Sequence, residues 1–190
     1  MESFLKIAKA VPEDSFLVSS IIQRSFKDQA VMLDISEEQF PHYVAFEHEP
    51  AARSRINGTQ VNLLYLGEKA IGTVGLRASG NQGSIERLAV LPEYRGSKYG
   101  EYLITEAEKS LSALGCTSVV LSIVAAFAGL RIFYERLGYQ CTHVRTFATL
   151  PFEVQFLRKA LNPLQDSSSP SLSPSSPGPG TAPPPPRSGL

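Results

Sequence analysis

Two cysteines and three histidines in 190 residues leave little material for a disulfide framework or a metal cage. Cys116 and Cys141 lie far apart in sequence, which points to reduced thiols packed as small buried hydrophobes rather than a bridge or a nucleophile. His42, His48 and His143 do not fall at metal-ligand spacings with them, so no metal is expected. Net charge is missing as well: 18 Lys plus Arg balance 18 Asp plus Glu, which leaves no field strong enough to make nucleic acid or an anionic membrane the principal partner. No apolar run reaches the ~20 residues of a membrane-spanning helix. The N-terminus also lacks the basic, apolar and small-residue blocks of a secretory leader, so the expected location is the cytoplasm.

The last stretch is poor in charge and aromatic side chains. From Asn162 onward the chain holds nine of its 14 prolines in 29 residues, mixed with serine. Such a composition cannot bury enough apolar surface to offset its ordering entropy, so residues 162–190 are expected to be a disordered Pro/Ser-rich tail with polyproline character at Pro183 to Pro186. An inert tether is one reading of it; a segment read by a Pro-rich-motif binder is the other. Residues 1–161 are enough for one buried core and too few for two.

Within those residues, Phe4 to Ala8 reads as a strand. Pro12 then starts a helix with Phe16, Leu17, Ile21, Ile22 and Phe26 at apolar spacing, ending near Lys27. Ser36 and Gln39 have capping-box spacing and suit the start of a short second helix, though Pro41 interrupts the pattern, and Glu49 to Ile56 predicts another. Val61 to Leu66 and Ala70 to Leu76, separated by Gly67-Glu68, predict a hairpin; a strand from Ser84 to Leu91 follows. A helix from Gly100 to Ala113, with Leu103, Ile104, Ala107, Leu111 and Leu114 inward, precedes a strand from Thr117 to Val124 suited to cover on both faces. A helix from Leu130 to Leu137 and two antiparallel strands, Tyr139 to Ala148 and Glu153 to Leu157, complete the pattern. The order implies an α/β fold on a single mixed sheet.

The most telling run is Ile85 to Gly100. Strand character stops at Pro92, a turn with Gly96 follows, and a helix begins near Gly100, so main-chain N–H groups gather at the positive end of a helix dipole. A pyrophosphate suits such a cradle.

Leu88-Ala89-Val90-Leu91-Pro92, the turn Arg95-Gly96-Ser97-Lys98-Tyr99-Gly100, and Ile132-Phe133-Tyr134-Glu135-Arg136-Leu137-Gly138-Tyr139 together resemble the GCN5-related N-acetyltransferase (GNAT) superfamily. The likeness runs from about Phe4 to Leu161. It implies a mostly antiparallel central sheet flanked by helices and acetyl-coenzyme A as donor. The pyrophosphate would rest on the N–H groups of Arg95, Gly96, Ser97, Lys98, Tyr99 and Gly100, and the pantetheine arm would pair like an added strand with Leu88, Ala89 and Val90. A homodimer is a common state in the family. Two positions depart from its pattern: Lys98 stands at the usual middle glycine, which fits if its φ is negative, and Phe127 stands where an asparagine often precedes the Phe-Tyr pair.

Acetyl transfer to an amine needs a deprotonated nucleophile, a polarised thioester carbonyl and a protonated leaving sulfur. The resemblance places the Tyr134 phenol near that sulfur as general acid; a structural aromatic is the alternative. Glu86, four residues before Val90 and so expected on its face, is the candidate base, taking the amine proton directly or through water. A plain ion pair with Arg87 or Lys98 is its alternative. A main-chain N–H at Ala89 or Val90 polarises the carbonyl if the strand is bulged. Phe40, Tyr43 and Phe46 either wall an acceptor pocket or pack under a loop, and Asp34, Glu37, Glu38, Glu47 and Glu49 either favour a cationic acceptor or form a solvated polar face. Three readings stay open: an acetyltransferase for a small amine or amino-acid-like acceptor, one for protein lysines or N-termini, and a coenzyme-binding regulatory module without turnover.

Overall fold

Gly67 turns the chain back on itself: at φ +62° it joins β2 (Gln60–Leu66) to β3 (Lys69–Ser79) with Leu66 opposite Lys69. In the computed structural model, which describes residues 4–161, these strands sit in a sheet with β1 (Leu5–Lys9), β4 (Gln82–Val90), β5 (Ser118–Val124), β6 (Gln140–Thr146) and β7 (Glu153–Ala160). The order is β1-β2-β3-β4-β5-β7-β6, and every neighbouring pair is antiparallel except β4 with β5. This is the mixed, mostly antiparallel sheet the sequence implies. The Pro/Ser-rich segment lies outside the described residues.

Helices α1 (Ser15–Met32) and α2 (Glu49–Gly58) cover one face, where Val18, Ile22, Ala52, Val61, Leu63 and Leu91 form a common core. On the opposite face α3 (Tyr99–Ala113) and α4 (Ala128–Arg136) bury Leu103, Ile104, Ala107, Leu111 and Tyr134 against β3, β4, β5 and β7. Each fully buried aliphatic side chain in these layers contributes ~1.5–3 kcal/mol. Both α3 and α4 stop at a left-handed glycine, Gly115 (φ +86°) and Gly138 (φ +91°). There the next N–H reaches back to the helix, Cys116 to the Leu111 carbonyl and Tyr139 to the Tyr134 carbonyl.

Several expectations need correction. Helix α1 runs on to Met32, past Lys27, because Ala30 in its last turn is buried against Ile35 and Ala45. No helix forms at Ser36. Its hydroxyl spends its hydrogen bond on the Gln39 side chain (3.2 Å), a single turn closes from Phe40 N–H to the Ser36 carbonyl, and Pro41 has no N–H to continue it. Leu114, expected inward, caps α3 and is 59% exposed. Cys116 is buried as expected, whereas Cys141 is exposed on β6, the outermost strand. Ser122 of β5 is also exposed, so that strand is not covered on both faces throughout.

Close approach fixes one more glycine. A Cβ at Gly72 would lie 2.8 Å from the Ala89 carbonyl oxygen of β4 and 3.1 Å from Leu103. A carbonyl held in a ladder cannot retreat, so Gly72→Ala is expected to cost ~1–3 kcal/mol, read from the denaturant midpoint. Gly129→Ala, in open space within α4, is expected to leave stability unchanged or raise it by up to ~1 kcal/mol.

Candidate active site

β4 changes neighbours halfway along its length. One edge pairs with β3 from Gln82 to Val90, while the other pairs with β5 only at Gln82, Gly83 and Ser84, opposite Ser118, Val119 and Val120. Past that point the two parallel strands have no paired residues. The main-chain groups on the facing edges, residues 85–90 of β4 and 121–124 of β5, look into a gap that can accept an extended chain.

The gap opens beside a bulge. Gly75 pairs with Glu86 and Thr73 with Ala89, so Arg87 and Leu88 together face the single residue Val74, and Arg87 takes φ +50°. For a residue with a Cβ that conformation costs ~1–2 kcal/mol. The extra residue reverses the alternation of side chains. Ile85, Leu88 and Val90 pack toward α3 and α4, whereas Ala89 and Leu91 pack toward α1 and α2. Glu86 lies on the α2 side, where its Cγ would be 2.9 Å from a Cβ at Gly75, as the Arg55 guanidinium would be at 3.0 Å. The face expected to be shared by Glu86 and Val90 is therefore not shared.

Beneath the bulge sits a buried ionic set. Glu47, with 3% of its side chain exposed, accepts from Arg55 Nη2 at 2.8 Å and contacts Arg87 Nε through its other oxygen. Arg87 Nη1 lies 3.3 Å from Glu86 Oε2. Thus Glu86 pairs with Arg87 and not with Lys98, and its Oε1 has no hydrogen-bond partner among the described residues. Removing one member of such a buried set costs ~3–5 kcal/mol, because it strands the others. Glu47 and Arg55 are the residues that sequence reasoning missed most completely: Glu47 was read as surface acidity, and Arg55 carried no motif.

Downstream, Leu88, Ala89, Val90, Arg95, Gly96, Lys98, Tyr99 and Gly100 line a cavity of about 460 Å³; Ser97 is exposed and stands off its wall. Gly96 (φ +84°) and Lys98 (φ +62°) are both left-handed, and Lys98 caps α3 without a side-chain hydrogen bond. Lys98 thus fails the condition of a negative φ under which it would fit the turn without strain. The turn needs αL there, the conformation glycine adopts without strain, and Lys98 takes it against its Cβ. The Arg95 guanidinium turns away to helix α1, donating to the Ser25 carbonyl at 2.5 Å and to the Val90 carbonyl at 3.3 Å. Arg136 adds a cation to the same cavity from α4, one turn beyond Phe133. That i, i+3 spacing was a usable signal within the quoted motif.

A larger cavity of about 760 Å³ continues from the first between the separated halves of β4 and β5, with Phe26, Gln29, Leu88 and Leu130 common to both. Tyr134 lines it. The ring is buried in edge-to-face contact with Phe133 (centroids 5.0 Å) and Tyr139 (5.6 Å), and its hydroxyl has no hydrogen-bond partner among the described residues. Burial pushes the phenol pKa up and keeps it protonated. Glu86 and Arg87 line the same cavity, as do Phe40, Tyr43 and Phe152. Tyr43 donates to Gln29 Oε1 at 3.2 Å, and burial raises its pKa to about 12. Phe46, the third aromatic of the sequence pattern, packs beneath the loop against Tyr43 and stays off the wall. Of the acidic residues in this region, Glu37 meets His48, Glu47 is neutralised within, and Glu49 meets Arg53 at 3.4 Å. Of these, only Glu47 is buried with its charge paired inside; the Glu37 and Glu49 contacts are solvent-exposed.

Among the described residues no group of three His, Cys, Asp or Glu side chains is arranged to hold a metal, and no helix is long and apolar enough to cross a membrane. Neither Cys116 nor Cys141 lines either cavity.

The fold has solved counterparts. A PaiA N-acetyltransferase from Thermoplasma acidophilum, in complex with coenzyme A, superposes with a TM-score of 0.70 at 20% identity, over 83% of this chain and 99% of its own. A ribosomal-protein-S18-alanine N-acetyltransferase from Escherichia coli gives 0.66 at 16%, over 87% and 99%. A GCN5-related N-acetyltransferase from Rhodopseudomonas palustris gives 0.68 at 22%, over 85% and 98%. Residues 22–139, from the middle of α1 through the bulge, the turn before α3 and Tyr134 to Tyr139, match the model of the acetyltransferase (GNAT) family, and the chain belongs to that family.

Proposed function

We propose that this protein transfers the acetyl group of acetyl-coenzyme A to a primary amine by direct attack, the acceptor being a small amine or amino-acid-like molecule with an apolar body. The observation that carries this reading is the unpaired β4 edge running straight into a left-handed turn at the start of α3. An extended pantetheine arm suits such an edge, and a pyrophosphate suits free N–H groups at a helix start flanked by Lys98 and Arg136. On this reading Leu88, Ala89 and Val90 pair with the arm, and the amides from Gly96 to Gly100 hold the phosphates; the Arg95 amide, expected among them, is spent on the Pro92 carbonyl at 3.2 Å. The catalytic unit is residues 1–161, with 162–190 as a tether.

Acetyl-coenzyme A supplies an activated acyl group as its thioester. The amine nitrogen forms the new C–N bond as the C–S bond breaks. Glu86, whose Oε1 is free, takes the amine proton directly or through water. Amides at the bulge polarise the carbonyl where its negative charge grows. Tyr134 gives its proton to the departing sulfur, and solvent exchange returns the Glu86 proton to the phenolate. Direct attack accords with the absence of both cysteines from the cavity walls. The aromatic side chains Phe40, Tyr43 and Phe152 favour an acceptor with an apolar or aromatic body.

The deciding experiment combines calorimetric titration with desulfo-coenzyme A and thiol release from acetyl-coenzyme A over polyamines, amino acids and peptides. Micromolar binding with turnover on apolar amino acids or arylalkylamines is expected. Binding without turnover on any amine refutes the enzyme and leaves a coenzyme-binding module; preference for peptides refutes the small acceptor.

Tyr134→Phe is expected to lower kcat by at least tenfold while leaving coenzyme Kd within about threefold. Its effect on denaturation should be small, since no protein group loses a hydrogen bond. Lys98→Gly removes a left-handed Cβ at the cost of a more flexible unfolded chain, so stability should hold or rise by up to ~1 kcal/mol. Coenzyme affinity should fall severalfold at low ionic strength, with the difference closing as salt screens the lost ammonium.

A further inference from the structure

We propose that Glu47 is a positioning residue that sets the left-handed turn at Arg87, and through it the aim of the Leu88 and Ala89 amides and of the Glu86 carboxylate. The proposal rests on the acetyl-transfer reading for its catalytic consequence only. Arg87 is strained in backbone and 31% exposed in side chain, so packing alone does not hold its conformation. What holds it is charge: its Nε meets Glu47 and its Nη1 meets Glu86. Of these two carboxylates only Glu47 is buried, and it is itself fixed by Arg55, whose side chain is 7% exposed.

Three further features concern this residue and the ionic set around it. Gly75, directly across from Glu86, has no side chain, and a Cβ there would collide with both Glu86 and Arg55; the space beneath the bulge is kept for the ionic set. The Glu47 carbonyl accepts from Gln23 Nε2 of α1 at 3.0 Å, which pins the residue from its main chain as well. Glu47 also ends the segment that carries Phe40 and Tyr43, two walls of the larger cavity. One residue therefore joins the acceptor wall, helices α1 and α2, and the bulge, so displacement of that wall reaches the reacting edge through a buried charge pair.

The test uses the full chain and two readouts. Amide hydrogen exchange at residues 87–89, with Leu63 and Leu64 of β2 as internal reference, reports the bulge without any need for turnover. Steady-state kinetics then separate kcat from the KM for acetyl-coenzyme A. For Glu47→Gln the expected result is exchange at 87–89 that rises at least tenfold more than exchange at the reference, which itself follows any loss of global stability. A kcat reduced tenfold or more with KM within threefold should accompany it, and Glu47→Asp should recover part of both. A folded Glu47→Gln with exchange and kcat within twofold of wild type overturns the proposal, as does exchange that rises by the same factor at 87–89 and at the β2 reference. If Glu47→Gln does not fold, Arg87→Gln, at the partly exposed end of the pair, decides by the same criteria. A wild-type protein that fails to bind coenzyme or release thiol sinks the acetyl-transfer reading; the exchange comparison still decides whether Glu47 sets the turn.

Discussion

Everything in this site depends on two parallel strands that stop pairing. β4 and β5 share three residue pairs and then separate, and a separated pair inside a sheet leaves main-chain donors and acceptors without a ladder. Such groups are costly unless something occupies the gap. Here the gap is shaped rather than accidental, with a bulge on one lip, the exposed Ser122 on the other, and a helix start at its end. The rest of the sheet remains paired on both sides of the opening. Antiparallel β1, β2 and β3 hold one half, and β7 with β6 hold the other, so the opening does not loosen the fold.

Charge and aromatic packing divide the labour around the opening. Toward α1 and α2 the bulge is backed by Glu47, Arg55, Arg87 and Glu86, two carboxylates and two guanidinium groups that balance in charge. Toward α3 and α4 it is backed by aromatic stacking of Phe133, Tyr134 and Tyr139. Tyr139 in turn donates to Glu108 at 2.8 Å, and Glu108 receives Lys159 at 2.6 Å, which ties α3 to β7. Tyr134 is the member of this aromatic row whose hydroxyl is left without a protein partner among the described residues.

Much of this was legible in the residues. Gly67-Glu68 announced the hairpin, the apolar spacing from Leu103 to Leu111 announced α3, and Gly115 and Gly138 announced the two helix ends. Those features are local: a turn residue or a helical period needs no knowledge of distant chain. The bulge was not legible, because Arg87 leaves the strand period in answer to Glu47 and Arg55, which lie 40 and 32 positions away. The same cause misplaced Glu86, whose face was assigned by unbroken alternation. At Lys98 the motif marked the position correctly, yet side-chain identity argued for a negative φ where turn geometry required a positive one. The tail of α1 was likewise settled by burial of Ala30, whereas the loss of a helix at Ser36 follows the interruption at Pro41 that the sequence already showed.

Because Phe26, Gln29, Leu88 and Leu130 border both cavities, the two chambers share one wall and are contiguous. On the acetyl-transfer reading, a conjugate joining an acceptor to the coenzyme sulfur would span both chambers as one molecule. It would surrender its overall translation once, where two separate ligands surrender it twice. On that reading the shared wall favours a bisubstrate adduct over its two halves taken separately.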